Sequence, residues 1–323
     1  MFYRWRRAIA VQMFNRRVAG IQDTPPLRLA RAPLSIVSMV SLADLPMYLL
    51  AIKSLYRHLP GGKVVAIITR ASPAHLSRLL DEHVPGIEIV EIEGIPVGAC
   101  QRGGCWERLL YIADRAEREY VIQLDSDTLT IGPDISEVTA SVTGNRSFVL
   151  GGGPAGSGQR IVPMVEAAVS VDWVDSHVCV VAQRRLAEYP RAQSLRYVRG
   201  SGAFVGFARG GCSRGQIEEF HNNMARLLGK RWTEWGSEQC ASNFAIANAP
   251  RAVVLPWPDY ANFQPARKSD EARFLHFLGA VRYRKGAYAR LAREVIRRVA
   301  SEASGQQAGA RQHIAVSPGA RTG

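Results

Sequence analysis

Between residues 34 and 124 the chain alternates short, β-branched apolar runs with longer stretches whose apolar residues recur at helical spacing. The runs are "LSIVSMVS" (34–41), "KVVAIIT" (63–69), "IEIVEI" (87–92) and "YVIQLDSD" (120–127). Between them lie "DLPMYLLAIKSLYRHL" (44–59), "SPAHLSRLLDEHV" (72–84) and "CWERLLYIADRAE" (105–117). Near-continuous apolar strands separated by helices predict an α/β fold, with a mostly parallel central sheet covered on both faces. Asp44 and Ser72 stand where helix caps are expected, and Pro73 falls in a first turn. Past Gly151 the pattern is mixed. A strand at 200–210, a helix from Gln216, another over "SEQCASNFAIA" and a short strand "AVVLPW" follow. "AYARLAREVIRRVA" (287–300) then sets Tyr288, Leu291, Ala292, Val295, Ile296 and Val299 on one face of a basic amphipathic helix.

Charge separates the middle of the chain from its ends. Of the 41 Lys and Arg residues, seven arginines lie within 1–35 beside one acid. Nine more bases lie within 282–323 beside two acids, so the body between is balanced. The net +13 therefore marks the ends. A neutral body disfavours a nucleic-acid groove. Basic ends suit an anionic surface such as phospholipid, or they merely solubilise the termini. Residues 1–32 read as a basic extension with a loosely helical stripe of Phe2, Trp5, Ile9 and Met13, broken by "DTPP". Residues 33–286 read as the folded body of the chain, and 301–323, rich in Ser, Gly, Ala and Gln, as a disordered tail. No apolar run approaches the roughly 20 residues of a membrane span. The N-terminus has no continuous apolar segment of the secretory kind. Five scattered cysteines match neither a zinc site nor a disulfide framework. A cytoplasmic protein is expected, peripheral on the inner membrane face if the ends bind lipid.

The strand "YVIQLDSD" ends in two acids. At a strand end, residues i and i+2 project to the same side, so Asp125 and Asp127 face one point. Two close carboxylates repel unless a cation sits between them. Hard oxygen ligands suit Mn²⁺ or Mg²⁺, which also bind substrate phosphates. In parallel sheets ligands bind outside the carboxyl ends of the strands, where these acids lie. The glycine-rich "GGGPAGSG" (151–158) lacks the G-K-[ST] of a phosphate loop and reads as a lid.

Several blocks together resemble one family. "YVIQLDSDTL" resembles the D-x-D strand of glycosyltransferases of the GT-A fold, which use nucleotide-diphospho-sugars. The preceding "CWERLLYIADRAEREY" is similar to the Y-x-R-L segment of the retaining glycogenin and lipopolysaccharide-galactosyltransferase group. "WGSEQCASNFAI" resembles its D-Q-x-x-x-N segment, and "LHFLGAVRYRKG" its H-x-x-G-x-x-K segment. Four blocks in order, over roughly residues 34 to 286, are more specific than any one.

The resemblance implies an Rossmann-like GT-A domain that moves a sugar, from a UDP-sugar, to an acceptor hydroxyl with retention. It implies Mn²⁺ or Mg²⁺ on Asp125, Asp127 and His276, with Asp127 the direct ligand and Asp125 shared with the ribose. Glu238 would hold sugar hydroxyls and Gln239 would line the reacting carbon. Ser38, Met39 and Val40 would meet the base and ribose. Arg108, Ser126, Ser201, Gly279, Arg282 and Lys285 would complete the donor site. Arg282 would neutralise the departing diphosphate, and Gly279 would let backbone approach the phosphates. The plain alternatives are an ion pair of Arg108 with Glu107 or Glu117, a satisfied core histidine at 276, and a polar helix start at Ser237 and Glu238. Ser201 in place of asparagine, Glu238 of aspartate and Arg282 of lysine depart from the family pattern. The acceptor is a glycan, lipid or protein. Rival readings are a non-catalytic sugar-nucleotide-binding scaffold and a sugar-phosphate nucleotidyltransferase. The latter expects a glycine-rich loop after the first strand, and "SMVSLADLP" has none.

Overall fold

The four apolar runs pair as expected. In the computed structural model, which describes residues 2–153, 159–169, 177–268, 270–279 and 281–315, they form β1 (Leu34–Met39), β2 (Lys63–Ile68), β3 (Glu88–Glu91) and β4 (Tyr120–Leu124). Three further strands join them: β6 (Phe148–Gly151), β9 (Gly200–Phe207) and β10 (Val253–Leu255). The seven-stranded order is β10-β6-β9-β4-β1-β2-β3, and only β9 runs antiparallel to its neighbours. The remaining strands are short: β5 (Thr128–Thr130), β7 (Val162–Pro163), β8 (Arg196–Tyr197), β11 (Tyr260–Asn262) and β12 (Phe274–His276).

Alternate strand residues feed two cores. Ile36, Ile122 and Leu124 face one, with helices α2 (Leu45–Tyr56), α3 (Ala74–His83) and α10 (Ala287–Ala315). Val37 and Val121 face the other, with α4 (Trp106–Ala116), α8 (Arg214–Leu228) and α9 (Ser237–Asn248). Trp106 and Trp232 are wholly buried in the second core. Each large apolar side chain buried there contributes about 1.5–3 kcal/mol. Shorter helices are α5 (Ser136–Thr143), α6 (Met164–Val169) and α7 (Val178–Arg184).

Three local expectations need correction. Asp44 does not cap α2 through its side chain; it lies in a 3-10 turn, where its carboxylate accepts from Ser41 Oγ at 2.6 Å. Pro73, not Ser72, is the cap position of α3, because Ser72 Oγ turns to Thr69 Oγ1 at 3.2 Å. The C-terminal helix runs on past 300 to Ala315. Alanine, glutamine and arginine are fair helix formers, so polar composition alone did not separate helix from tail. Residues 316–323 of the expected tail, and 154–158 of the expected lid, lie outside the described residues.

The basic ends meet. The N-terminal stretch is a helix, α1 (Phe2–Val18), packed on α10. Phe14 packs on Tyr288 with tilted rings whose centres are 4.5 Å apart, and Val18 is wholly buried. The stripe read from the sequence faces the other way: Trp5, Ile9 and Met13 are 68%, 37% and 47% exposed. On α10, Tyr288, Leu291, Ala292 and Val295 are buried as expected. Among the described residues no helix is long and apolar enough to cross a membrane.

Candidate active site

Parallel pairing brings the ends of β1 and β4 level, with Ile36 opposite Ile122 and Val37 opposite Gln123. Ser126 Oγ donates to the Met39 carbonyl at 3.3 Å across this edge. The Asp125 amide donates to Ala203 of β9 at 2.8 Å, and Thr128 Oγ1 donates back to the Asp125 carbonyl at 2.8 Å. Asp125 and Asp127 are thus fixed in a tight turn at the carboxyl end of β4. That turn leads into β5, which pairs antiparallel with β12 and sets Thr128 opposite His276. The Phe277 amide donates to the Asp127 carbonyl at 2.8 Å. Strand register alone therefore carries His276, remote in sequence, to the two acids.

Ligand atoms of Asp125, Asp127 and His276 all lie within 4.8 Å of one another. His276 Nε2 is 3.5 Å from Asp127 Oδ1. Its other nitrogen, Nδ1, is 2.7 Å from Asn262 Oδ1 and 3.3 Å from Ser201 Oγ. Asn262 lies opposite His276 in the β11–β12 pair. An amide oxygen at 2.7 Å accepts the Nδ1 proton and fixes the ring, so Nε2 is the atom aimed at the acids: a proton there faces Asp127, and its lone pair would serve a bound cation. Two carboxylates and an oriented imidazole are a donor set that fits Mn²⁺ or Mg²⁺.

Two arginines hold the acids. Arg108 Nη1 meets Asp125 Oδ1 at 2.5 Å, and the arginine is buried. The alternative of an exposed pair with Glu107 or Glu117 is thereby excluded; Glu107 instead accepts from the Gly103 amide at 2.8 Å. Burial opposes the charge of Arg108, but Asp125, Cys105 and Glu238 outweigh it and raise its pKa. Arg282 pairs with Asp127, while its Nε donates to the Phe277 carbonyl at 3.1 Å. Burial pushes the Asp127 carboxyl up, but His276 and Arg282 together hold it below the usual range.

Glu238 stands apart. It opens α9 beside Gly236, whose φ of 99° is left-handed. A Cβ there would sit 2.9 Å from His177 Cε1, so glycine is required. Ser237 and Glu238 do form the polar start of α9, but neither caps it through its side chain: the cap position is Gly236. Ser237 Oγ instead accepts from Trp106 Nε1 at 3.0 Å, tying α9 to α4. Glu238 is 9% exposed and its Oε2 has no hydrogen-bond partner. Burial pushes its carboxyl up to about 7; Arg108 pulls against this, while Cys179 and Asp125 add to it. Gln239 Oε1 accepts from the Gly202 amide at 3.2 Å. A cavity of about 210 Å³ lies against Gln239, Ser201, Asn262, Cys179, His177 and Arg199. Asn243 Oδ1, also lining it, is buried and unpartnered.

Of the residues expected at the donor, Ser38 is buried at the end of β1 with an unpartnered Oγ, and Met39 is tied to Ser126. Val40 turns its side chain into the core, leaving only backbone for a ligand. Gly279 is exposed, with open space where a Cβ would be. Lys285 is exposed at φ 56° and takes no part in the hydrogen bonds of the cluster among the described residues. Asn262 escaped the sequence reading: "YANFQ" carries no local signal, and its role arises from pairing β11 with β12.

No family model matches the chain, and no curated protein matches its sequence. Solved glycosyltransferase structures are similar to it. The apo bifunctional glycosyltransferase WbbM is 16% identical at a TM-score of 0.48, over 79% of this chain and 47% of that one. The glycosyltransferase GlyE of Streptococcus pneumoniae TIGR4 is 12% identical at 0.49, over 87% and 64%. The galactosyltransferase LgtC, in complex with donor and acceptor sugar analogues, is 11% identical at 0.42, over 81% and 95%. The chain thus spans 47% of the first of these proteins and 64% of the second.

Proposed function

We propose that this chain is a metal-dependent glycosyltransferase, moving a sugar from a UDP-sugar to an acceptor hydroxyl with retention at the anomeric carbon. The observation that carries the reading is the triad of Asp125, Asp127 and His276 at the carboxyl edge, set beside a buried carboxylate oxygen of Glu238 that lacks a partner. Asp125, Asp127 and His276 would hold Mn²⁺ or Mg²⁺, which when bound neutralises a diphosphate. Asn262 and Ser201 orient the imidazole. Ser126, Ser38, Met39 and the Val40 backbone line the nucleoside end. Arg282, with Gly279 and Lys285 on the same segment, meets charge that develops on the leaving phosphates. Arg108 holds the Asp125 carboxylate in place. Glu238 accepts from sugar hydroxyls, and Gln239 borders the reacting carbon. The acceptor oxygen attacks from the face that the diphosphate leaves.

Residues 33–286 would form the catalytic domain, with α1 and α10 closing one side. The acceptor class proposed is a cell-surface glycan or glycolipid precursor. Attachment at a cytoplasmic, anionic membrane face is supported by exposed Trp5, Ile9 and Met13 beside exposed Arg16, Arg17, Arg293 and Arg297. A silent scaffold is the weaker reading. A protein that only bound the sugar nucleotide would have no need for Asp125, Asp127 and His276 to be set together. The test is incubation with a panel of UDP-sugars and Mn²⁺, following UDP release. Metal-dependent release from at least one donor is expected. Neither release nor binding with any donor overturns the reading.

A further inference from the structure

Cys179 and Cys240 form a feature that sugar transfer does not use. They stand in the first turns of α7 and α9, which pack together. Both Sγ atoms approach one acceptor, the Gly236 carbonyl, at 3.2 and 3.8 Å. Access differs between the two: Cys240 is wholly buried, whereas Cys179 is half-buried and lines the cavity. Gln239 Nε2 lies 4.0 Å from Cys179 Sγ. His177 Nδ1 accepts from the Cys179 amide at 3.2 Å.

These neighbours separate Cys179 chemically from the other thiols. Cys240, then His177 and Arg199, bring it down to about 6 against the opposing effect of burial. Burial pushes Cys100 and Cys212 up to about 12 and Cys105 up to about 11. The thiolate is the nucleophile in thiol chemistry, so an accessible thiolate beside a buried thiol has the form of an attacking and resolving pair.

We propose that Cys179 and Cys240 are a dithiol modification site whose substrate is a small peroxide entering the cavity. The Cys179 sulfur attacks a peroxide oxygen, the O–O bond breaks, and hydroxide leaves to take up a proton as water. The resulting sulfenic acid is attacked by the Cys240 sulfur. The S–S bond forms, the S–O bond breaks, and the thiol proton leaves with the hydroxide as a second water. Each sulfur gives up one electron, and the peroxide takes both. The disulfide joins α7 to α9 one residue from Gln239 and withdraws Cys179 from the Gln239 amide. Sugar transfer then stops until a dithiol reductant restores the pair. That last consequence rests on the proposed transferase activity; formation of the bond does not.

The full chain is treated with stoichiometric hydrogen peroxide, free thiols are alkylated, and peptides are mapped by mass. A peptide pair linked through Cys179 and Cys240 is expected, with Cys100, Cys105 and Cys212 alkylated and the link reversed by dithiothreitol. Cys240→Ser should trap a sulfenic acid at Cys179 that a dimedone probe labels, and Cys179→Ser should form no link. No 179–240 link in folded wild-type protein, or equal oxidation of the three other cysteines, overturns the site. A link that leaves UDP release unchanged overturns the switch. Absence of UDP release from reduced protein with every donor bears on the transferase reading alone, and the peptide map still decides the dithiol.

Discussion

Three carboxylates converge near the end of β4, and they are treated in opposite ways. Asp125 and Asp127 each have a guanidinium partner, and Asp127 has His276 as well. Glu238, on the neighbouring helix, is at least as buried and has an oxygen with no partner at all. The pairs hold Asp127 ionised, while burial pushes Glu238 up to about 7. Charge at the strand end is assembled before any ligand arrives. At the head of α9 the fold instead tolerates an unmet hydrogen bond. On the proposed function, the first region would hold charged chemistry permanently and the second would recognise hydroxyl groups that come and go.

The largest expected effect breaks the first region. Asp127→Ala removes one of the three candidate ligands and releases Arg282. UDP release should fall on the order of 10³-fold, as for loss of a transition-state-stabilising group. Arg282 is 17% exposed at its side chain, so the freed guanidinium can reach water and the fold should persist by circular dichroism. A variant as active as wild type would show that the paired acids are structural.

Glu238→Gln probes the second region and should split stability from activity. Its folded pKa is raised above the usual 4.5, so the folded state binds the proton more tightly than the unfolded chain. Stability is then greatest below about pH 4.5, declines as pH rises toward about 7, and is level above. Glutamine has no such titration. At pH 8 the variant should be more stable, by up to about 3 kcal/mol, while turnover falls on the order of 10²-fold. The inflection near pH 7 in donor affinity should vanish with it. A destabilised variant at pH 8 would mean that Glu238 is satisfied after all.

Asn262→Ala tests whether the preassembled region depends on its support. Mn²⁺ affinity of the chain, measured by titration calorimetry, should weaken about 10- to 100-fold. Asn262→Asp, which keeps an oxygen acceptor for Nδ1, should recover most of it. Equal loss in both variants would reduce Asn262 to a packing role.

How far the sequence announced this molecule depends on the range of each interaction. The β1–α2–β2–α3–β3–α4–β4 alternation was legible because each element carries its own apolar period. Asp125 and Asp127 were legible because two acids follow a buried run within three residues. His276, Glu238 and Arg108 were found only through the resemblance of separate blocks, since nothing local marks them. Asn262 and the Cys179–Cys240 pair were invisible: each depends on two elements meeting that are distant in sequence. The stripe of Trp5, Ile9 and Met13 was seen, but not that Phe14 and Val18, on the other face, would do the docking. Apolar residues on both faces of α1 hide the direction of burial from any periodicity.

The smallest effect repeats the Glu238 argument on a neutral group. Ser38 Oγ at the end of β1 is also buried and unpartnered, but a hydroxyl carries no charge and its desolvation costs less. Ser38→Ala removes that orphan, so thermal stability should hold or rise slightly. If the hydroxyl meets the nucleoside of the donor, one neutral hydrogen bond worth about 1 kcal/mol is lost, and donor KM should rise about fivefold with kcat unchanged. A fall in stability would show that Ser38 is part of the fold's own bonding, and the contrast would then narrow to the carboxylates. A KM effect without a stability cost would extend the contrast along the sheet edge, with orphaned groups at both ends of the donor and paired charges between them.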